Sequence, residues 1–280
     1  MKIGAVMFFT TDSMQPAPLA RAMEERGFES LWVPEHTHIP SSRKSSYPAS
    51  GGLVRAYYEL MDPFLALNTA ATVTSKLKVG TGIALITQRD PIVTAKMVSS
   101  IDQLSGGRFV FGVGNGWNQD EIENHGTPFE SRHKLARERM EAMKAIWAEE
   151  EPEYHGEFVS FGKMKQWPKP FQKPHPPIIV GGAFPHAAKR AIAYGDGWMP
   201  VVRGTFDPAH TMQKFQALAK EAGRDPATLT FEVFGGPHDA DLMKRCRDAG
   251  VSRYVLMYPS KSREEVLPVL DKDTAMVRAR

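Results

Sequence analysis

The chain has 280 residues with a formal net charge of +3, and 42% of its residues are hydrophobic and 24% charged. This composition is typical of globular proteins, and so small a charge, spread along the chain, does not predict a nucleic-acid partner. The N-terminus lacks the pattern of a signal peptide, and no segment approaches the ~18–20 apolar residues that cross a bilayer, so we expect a cytoplasmic protein without a membrane partner.

Apolar runs with strand character alternate with helical patterns along the chain. The predicted strands are KIGAVMFF, SLWVPEH, LKVGTGIAL, RFVFGVG, PIIVGG, GWMPVV, LTFEVFGG and RYVLMY. The helices predicted between and after them lie near 18–26, from 62, at 91–104, about 132–149, 187–194, 208–222 and 240–249, and from near 263. Proline just after aspartate supports the helix start at 62.

The order of these elements predicts the fold class. Strands that are apolar on both faces and separated by helices indicate a parallel sheet covered on both sides. Eight such units in this length predict an α/β fold, a (β/α)8 TIM-type barrel with loop insertions at the C-terminal face; an open doubly wound sheet is the alternative. No segment has the composition of a domain linker. We therefore expect a single domain over 1–280, with an aromatic- and proline-rich insertion at about 150–177 packed on the barrel.

Polar and glycine-rich residues collect at the ends of the predicted strands. Glu35, His36 and His38 end the second strand, GVGNGWNQDE ends the fourth, and VGGAFPH ends the fifth. In a barrel these ends share one rim, the face from which catalytic residues come. Neighbouring residues of a strand point to opposite faces, so only the two histidines could share a side, and no further ligands are evident. We therefore predict no metal site.

The two glycine-rich segments predict contacts with a ligand. GVGNG is followed by Trp117 and lacks the spacing of a dinucleotide-binding fingerprint. Its glycines would let a flat ligand approach the backbone and the indole would offer a stacking face, whereas tight turns at a strand end are the alternative. In VGGAFPH, the free N–H groups of the following helix predict a phosphate site; a short turn is again the alternative.

Four segments together resemble the luciferase-like family of flavin- and deazaflavin-dependent oxidoreductases, and within it the actinobacterial branch that uses coenzyme F420. They are LWVPEHTHIP, KVGTGIALITQRDP, LSGGRFVFGVGNGWNQDE and PPIIVGG with AIAYGDGWMP, and the resemblance extends from Lys2 to about Val201. It implies a TIM-type barrel that holds the cofactor ring at its C-terminal mouth, acts on a small organic molecule and forms a homodimer.

The resemblance also assigns roles to residues. His36 would face the ring as the catalytic residue, with Glu35 as a neighbouring cofactor contact. Gly82–Ile83 matches the place where the family has a non-prolyl cis peptide under one ring face. The remaining implied cofactor contacts are Asn115, Gly116 and Trp117, near the ring or its side chain, and Gly181, Gly182 and Ala183, at the phosphate.

The sequence departs from the family at one important position. In one F420-dependent branch a glutamate acts as the general acid where this chain has Trp117, and neither Asp120 nor Glu121 can be assumed to replace it, so the catalytic acid is unassigned. The resemblance favours coenzyme F420 and hydride transfer; an FMN-dependent luciferase-like monooxygenase and a cofactor-storage protein are the alternatives. The basic residues that could meet the acidic F420 tail, or form an ordinary solvated surface, are Arg43, Lys44, Lys163, Lys165, Lys169 and Lys173.

Overall fold

Eight parallel strands form a closed barrel at the centre of the molecule. The computed structural model describes residues 1–42, 44–45, 53–202 and 204–278. The strands are β1 (Lys2–Val6), β2 (Ser30–Val33), β3 (Lys78–Thr81), β4 (Ala84–Leu85), β5 (Phe109–Gly114), β6 (Tyr154–His155), β7 (Ser160–Phe161), β8 (Ile178–Gly181), β9 (Gly197–Met199), β10 (Thr230–Gly236) and β11 (Arg253–Met257). The barrel order is β3-β2-β1-β11-β10-β9-β8-β5, and pairing of β3 with β5 closes the ring. The predicted (β/α)8 barrel is confirmed.

Helices surround the barrel and return the chain between strands. They are α1 (Pro16–Arg26), α2 (Ala56–Glu59), α3 (Pro63–Thr72), α4 (Pro91–Leu104), α5 (Gln119–Asn124), α6 (Arg132–Ala148), α7 (His186–Tyr194), α8 (Pro208–Glu221), α9 (Ala240–Asp248) and α10 (Arg263–Arg278). Asp62, Asp90 and Asp207 each cap a helix that begins with proline, accepting hydrogen bonds from backbone N–H groups of its first turn. These starts are local, which is why the sequence predicts them.

The apolar core has two layers. Inside the barrel, a compact set of large side chains fills the lumen: Val6, Trp32, Val110, Ile179, Met199, Phe234 and Val255, with Ile83 packed against it. A larger layer fills the space between strands and helices. Gly80 makes room for the lumen, since a Cβ there would lie 2.8 Å from the Trp32 ring. The barrel is therefore a packed core, and ligands can enter only at its ends.

The predicted third strand, LKVGTGIAL, is divided into β3 and β4 at Gly82–Ile83. The short elements α2 and α5 and the β6–β7 hairpin are absent from the sequence prediction. Each has too few residues to show a periodic pattern, so its conformation depends on what it packs against. The β6–β7 hairpin belongs to the insertion between α6 and β8. Glu138 of α6 holds the turn of this hairpin by accepting hydrogen bonds from three consecutive backbone N–H groups, those of residues 157–159.

The insertion packs along the outer helices. Gln166 donates to the carbonyl of Ile92 and Gln172 donates to Asp102, both on α4. Lys169, which the sequence suggested for an acidic cofactor tail, is buried and donates to the carbonyls of Ile146 and Glu149 at the end of α6. A cation suits the negative end of a helix dipole. That part of the prediction was wrong for Lys169. Among the described residues, no helix combines the length and apolarity required to span a bilayer.

Candidate active site

Glu35 lies directly after β2, in the wall below the barrel mouth. Its side chain is buried, and its two carboxylate oxygens accept hydrogen bonds from the Leu85 N–H at 2.6 Å and from Arg89 Nε at 2.7 Å. Arg89 in turn pairs with Asp62, the cap of α3, at 3.0 Å. The observed contacts of Glu35 thus join β2 to the segment that follows β3. Its contact with a cofactor stays a prediction.

His36, the next residue, stands at the mouth itself. Its Nδ1 lies 2.7 Å from Oε2 of Glu121, and the two side chains are 7% and 1% exposed. The imidazole is flanked by the rings of Tyr57 and Trp117, whose centroids lie 5.2 and 5.9 Å away. Within the described part of the chain, no group forms a hydrogen bond with Nε2. The ring is therefore held from one side by a carboxylate and framed by aromatic side chains.

The peptide bond Gly82–Ile83 is cis, as the resemblance implied. Ile83 lies among glycines: a Cβ on Gly114 would come within 1.9 Å of its Cδ1, and one on Gly181 within 2.7 Å of its Cγ2. A Cβ on Gly82 would meet the Phe234 ring at 2.5 Å. The glycines at the ends of β5 and β8 are therefore required by packing around Ile83, which accounts for part of the GVGNG pattern without a ligand.

The segment after β5 carries three predicted residues, Asn115, Gly116 and Trp117. Trp117 stands beside His36, and Gly116 turns the chain with φ of +74°. Asn115 is buried; its Nδ2 lies 2.8 Å from Nδ1 of His133, and its Oδ1 has no hydrogen-bond partner among the described residues. A buried amide oxygen left unpaired is costly, so it marks a position where a ligand could donate a hydrogen bond.

Basic side chains gather beside the predicted phosphate site. A Cβ on Gly182, whose φ is +126°, would lie 3.7 Å from a terminal nitrogen of Arg190. Arg132, at the start of α6, reaches the same region and stacks over the Phe129 ring at 3.6 Å. The Nε atoms of both arginines are buried without a partner, and no carboxylate of the described residues forms an ion pair with either.

The ionisation of these groups reflects their crowding. Burial, and then the charges of Arg132, Arg190 and His186, lower the pKa of His133 to about 4. His133 is therefore neutral at pH 7. Burial and the nearby Arg190 also lower the pKa of Arg132, and burial lowers that of Arg190. Two guanidinium groups remain without an anionic partner, next to the uncapped N-terminus of α7. A phosphate is the natural complement of such a site.

The loops after β2 and β5 are tied to each other through α5. Asp120 accepts hydrogen bonds from the Ser42 hydroxyl at 3.2 Å and the Lys44 N–H at 2.7 Å, and Glu123 pairs with Lys44 Nζ at 2.6 Å. The charge of Lys44, another candidate for the acidic tail, is thus engaged with Glu123. The candidate Arg43 lies outside the described residues.

His38 and His125, the other histidines of the mouth, form hydrogen bonds with nearby polar side chains. The Thr37 hydroxyl joins His38 Nδ1 at 2.9 Å and His125 Nε2 at 2.7 Å, and His38 Nε2 lies 2.9 Å from Nδ2 of Asn124. Across the described ranges, no group of three His, Cys, Asp or Glu side chains is arranged to hold a metal ion. These residues form a polar edge to the site.

Several residues of the site were missed by sequence reasoning. Glu121 was noted only as an acid without a role, and Tyr57, Arg132 and Arg190 were not selected. The sequence did contain a signal for Glu121, because this residue lies in the first turn of the helix that follows the GVGNGW segment. Tyr57 lies on a four-residue helix, and the two arginines belong to ordinary helix patterns, so no local signal distinguishes them.

Comparison with known proteins assigns the fold to a family. Residues 15–266 match the luciferase-like monooxygenase family. An uncharacterized protein of Mycobacterium tuberculosis is 37% identical over 278 residues, covering 97% of each chain. The F420-dependent hydroxymycolic acid dehydrogenase of the same organism is 29% identical over 234 residues, 82% of this chain and 61% of that protein. The FMNH(2)-dependent dimethylsulfone monooxygenase of Pseudomonas putida is 36% identical over 126 residues, 44% and 34% of the two chains.

Solved structures agree on the architecture. Monooxygenase RslO1 from Streptomyces bottropensis superposes with a TM-score of 0.78 at 21% identity, over 98% of both chains. An F420-dependent secondary alcohol dehydrogenase, in complex with an F420-acetone adduct, superposes with a TM-score of 0.76 at 19% identity, over 99% and 100% of the chains. At these identities the likeness concerns the fold. The relatives include proteins that depend on F420 and on FMN, and the sequence match is decisive: this chain belongs to the luciferase-like monooxygenase family.

Proposed function

We propose that the protein is an F420-dependent oxidoreductase that transfers a hydride between the deazaflavin and a small organic substrate. The observation that carries the proposal is the placement of His36, at the barrel mouth between Tyr57 and Trp117 and bound to a buried carboxylate. The choice of cofactor is supported by the F420-dependent relative, whose similarity extends over 82% of this chain.

The residues present fit such a cofactor. Arg132, Arg190 and the N-terminus of α7 would hold its phosphate, since both arginines have buried Nε atoms without partners. Asn115 Oδ1, also unpaired, would accept a hydrogen bond from it, and the flat ring would lie beside the cis peptide Gly82–Ile83. A deazaflavin bound here supplies a carbon centre that accepts or gives a hydride.

The protein must then manage the proton that accompanies hydride transfer. His36 is the group placed for this, because it stands at the mouth and its Nε2 has no hydrogen bond to any described residue. An imidazole can take or give a proton at neutral pH without a large change in structure. Tyr57 and Trp117 would restrict the substrate to the space next to this nitrogen.

An FMN-dependent monooxygenase is the second candidate. It is supported by the FMNH(2)-dependent relative and by the arginine cluster, which would accept the phosphate of FMN equally well. The similarity to that relative covers 44% of this chain, about half the coverage of the F420-dependent relative. This difference is why F420 is preferred.

A titration with both cofactors tests the proposal. Quenching of intrinsic fluorescence is followed as the protein is titrated with F420 and, in parallel, with FMN. We expect clearly tighter binding of F420. Tight FMN binding with weak F420 binding would overturn the assignment in favour of the monooxygenase.

A variant then tests the role of His36. His36→Ala should lower kcat by ~10²-fold or more, the usual contribution of a general acid or base, while changing F420 affinity little. Normal turnover by His36→Ala with cofactor bound would remove His36 from the reaction. His155→Ala, on the exposed β6–β7 hairpin, is the matched control.

A further inference from the structure

Glu121 has an unusual position for an acidic residue. It lies in the first turn of α5, its side chain is 1% exposed, and Oε2 lies 2.7 Å from His36 Nδ1. Its other oxygen, Oε1, is buried and has no hydrogen-bond partner among the described residues. Burying a carboxylate with half of its acceptor capacity unused costs free energy that an apolar side chain would not.

The fold itself does not require Glu121. The neighbouring acids on α5 already fix the helix to the loop after β2: Asp120 accepts from Ser42 and from the Lys44 backbone, and Glu123 pairs with the Lys44 ammonium group. The polar side-chain contact formed by Glu121 is with His36. Its burial is therefore explained by what it does to the imidazole.

We propose that Glu121 is a positioning residue that fixes the tautomer and the ring orientation of His36. An ionised carboxylate can only accept hydrogen bonds, so Nδ1 must carry the proton that it donates to Oε2. In the neutral ring, Nε2 then carries a lone pair and faces the mouth as a proton acceptor. Without the carboxylate, the proton would be free to occupy Nε2 and would block this role.

The consequence for the reaction, which rests on the proposed function, concerns substrates that carry a hydroxyl group. An oxidised deazaflavin bound at the mouth would supply the hydride acceptor, and the substrate carbon would give up a hydride with both electrons of its C–H bond. Its hydroxyl proton goes to Nε2, and the carbon–oxygen single bond becomes a double bond. The ring is then an imidazolium whose charge Glu121 compensates. In the reverse direction the Nε2 proton returns to the oxygen of a carbonyl compound that receives the hydride.

Nitrogen NMR of the histidine side chains tests the positioning directly. Long-range proton–nitrogen spectra of the ¹⁵N-labelled, cofactor-free protein at alkaline pH show which ring nitrogen carries the proton, and loss of a signal in His36→Gln identifies His36 among the nine histidines. We expect the wild-type proton on Nδ1. In Glu121→Gln, whose amide can either accept from or donate to Nδ1, we expect the population to shift towards Nε2–H.

The matched control is Glu123→Gln, the same substitution two residues further along α5, which should leave the His36 signals unchanged. Glu121→Asp keeps the carboxylate and should restore part of the wild-type pattern. A His36 proton on Nε2 in the wild type, or identical tautomers in wild type and Glu121→Gln, would overturn the proposal. Because no cofactor is present, this result is independent of whether F420 binds.

Kinetics of the loaded enzyme provide the second measurement. Glu121→Gln should lower kcat by about a hundredfold, in the range of general acid–base effects, with little change in KM, because substrate contacts are retained. An unchanged kcat would contradict the positioning role. Failure of the wild type to bind F420 in the titration would instead overturn the proposed function and leave the tautomer result standing.

Discussion

The two ends of the barrel treat buried charge differently. At the N-terminal end, Arg253 is 4% exposed and lies between two carboxylates: its Nε is 2.8 Å from Glu29 and its Nη1 is 2.5 Å from Glu232. Its guanidinium also lies over the Trp32 ring at 5.2 Å. At the C-terminal rim, the guanidinium groups of Arg132 and Arg190 have no such anionic partner within the described chain.

The pKa values follow this difference. Burial tends to raise the pKa of Glu29, but hydrogen bonds from Arg253 and its charge outweigh burial and lower it to about 2. The pKa values of Arg132 and Arg190 are lowered because no carboxylate partner offsets the effect of burial. The charges at the N-terminal end form internal pairs, which serve stability, whereas two cations at the rim lack a carboxylate partner, as the proposed binding of a phosphate requires. Glu232 is the exception, since burial raises its pKa and one of its oxygens is unpaired.

The largest expected effect is on stability, at the N-terminal end. Arg253→Leu leaves the buried Glu232 without its cation, whereas Glu29 keeps its pairs with Lys78 and Lys2. It should lower the free energy of unfolding by about 3–5 kcal/mol, as for other broken buried pairs. Urea denaturation measures it. F420 affinity of the folded variant should be unchanged. The control is Lys244→Met, which removes the exposed pair with Asp248. A loss no larger than that of the control would show that the Arg253 pairs do not stabilise the fold.

Unfolding free energies measured over a pH series test the stabilising contribution of Glu29. Its pKa is lower in the folded protein than its ordinary value of 4.5, so its stabilising contribution is present above about pH 4.5 and is lost as the pH falls towards about 2. We expect wild type to exceed Glu29→Gln in unfolding free energy by at most ~3 kcal/mol near pH 7, and the difference to shrink over that window. A difference that stayed constant with pH would rule out this linkage.

At the rim, removing a charge should affect binding and spare stability. Arg190→Met should weaken binding of F420 by about 10–100-fold, the equivalent of one lost charge-assisted hydrogen bond. Its unfolding free energy should stay the same or rise, because a half-buried cation without a carboxylate partner is removed. Titration calorimetry and urea denaturation measure the two effects. Lys189→Met, an exposed neighbour on α7, is the control. Equal losses of affinity and stability would show that the two ends of the barrel do not differ in the role of their charges.

The smallest effect on affinity and stability is expected for a substitution in the insertion. Lys165 pairs with Glu151 at 3.3 Å, and both side chains are more than half exposed. Lys165→Met should therefore leave F420 affinity and stability unchanged within error, as for most exposed ion pairs. Weaker binding of F420, measured against variants of its acidic tail length, would restore the original prediction that insertion lysines meet the tail.

Much of the site could be predicted because its residues lie at strand ends. His36, Asn115 and Trp117 follow apolar runs directly, and the barrel brings the ends of those runs to one rim. Glu121 and Tyr57 could not be assigned in this way. Their roles depend on contacts across loops whose course is not periodic, and the bond between His36 and Glu121 joins residues 85 positions apart.

The sequence by itself determined the alternation of eight strands with helices, the aspartate–proline helix starts and the residues that follow each strand, because these depend on local periodicity and local hydrogen bonds. Only the tertiary structure decided which charges meet. Barrel closure gives Arg253 two acidic partners at one end, leaves Arg132 and Arg190 without an anion at the other, and sets Glu121 against His36. Pairing of side chains depends on their distance in space. The closed barrel defines that distance, and a linear sequence pattern does not.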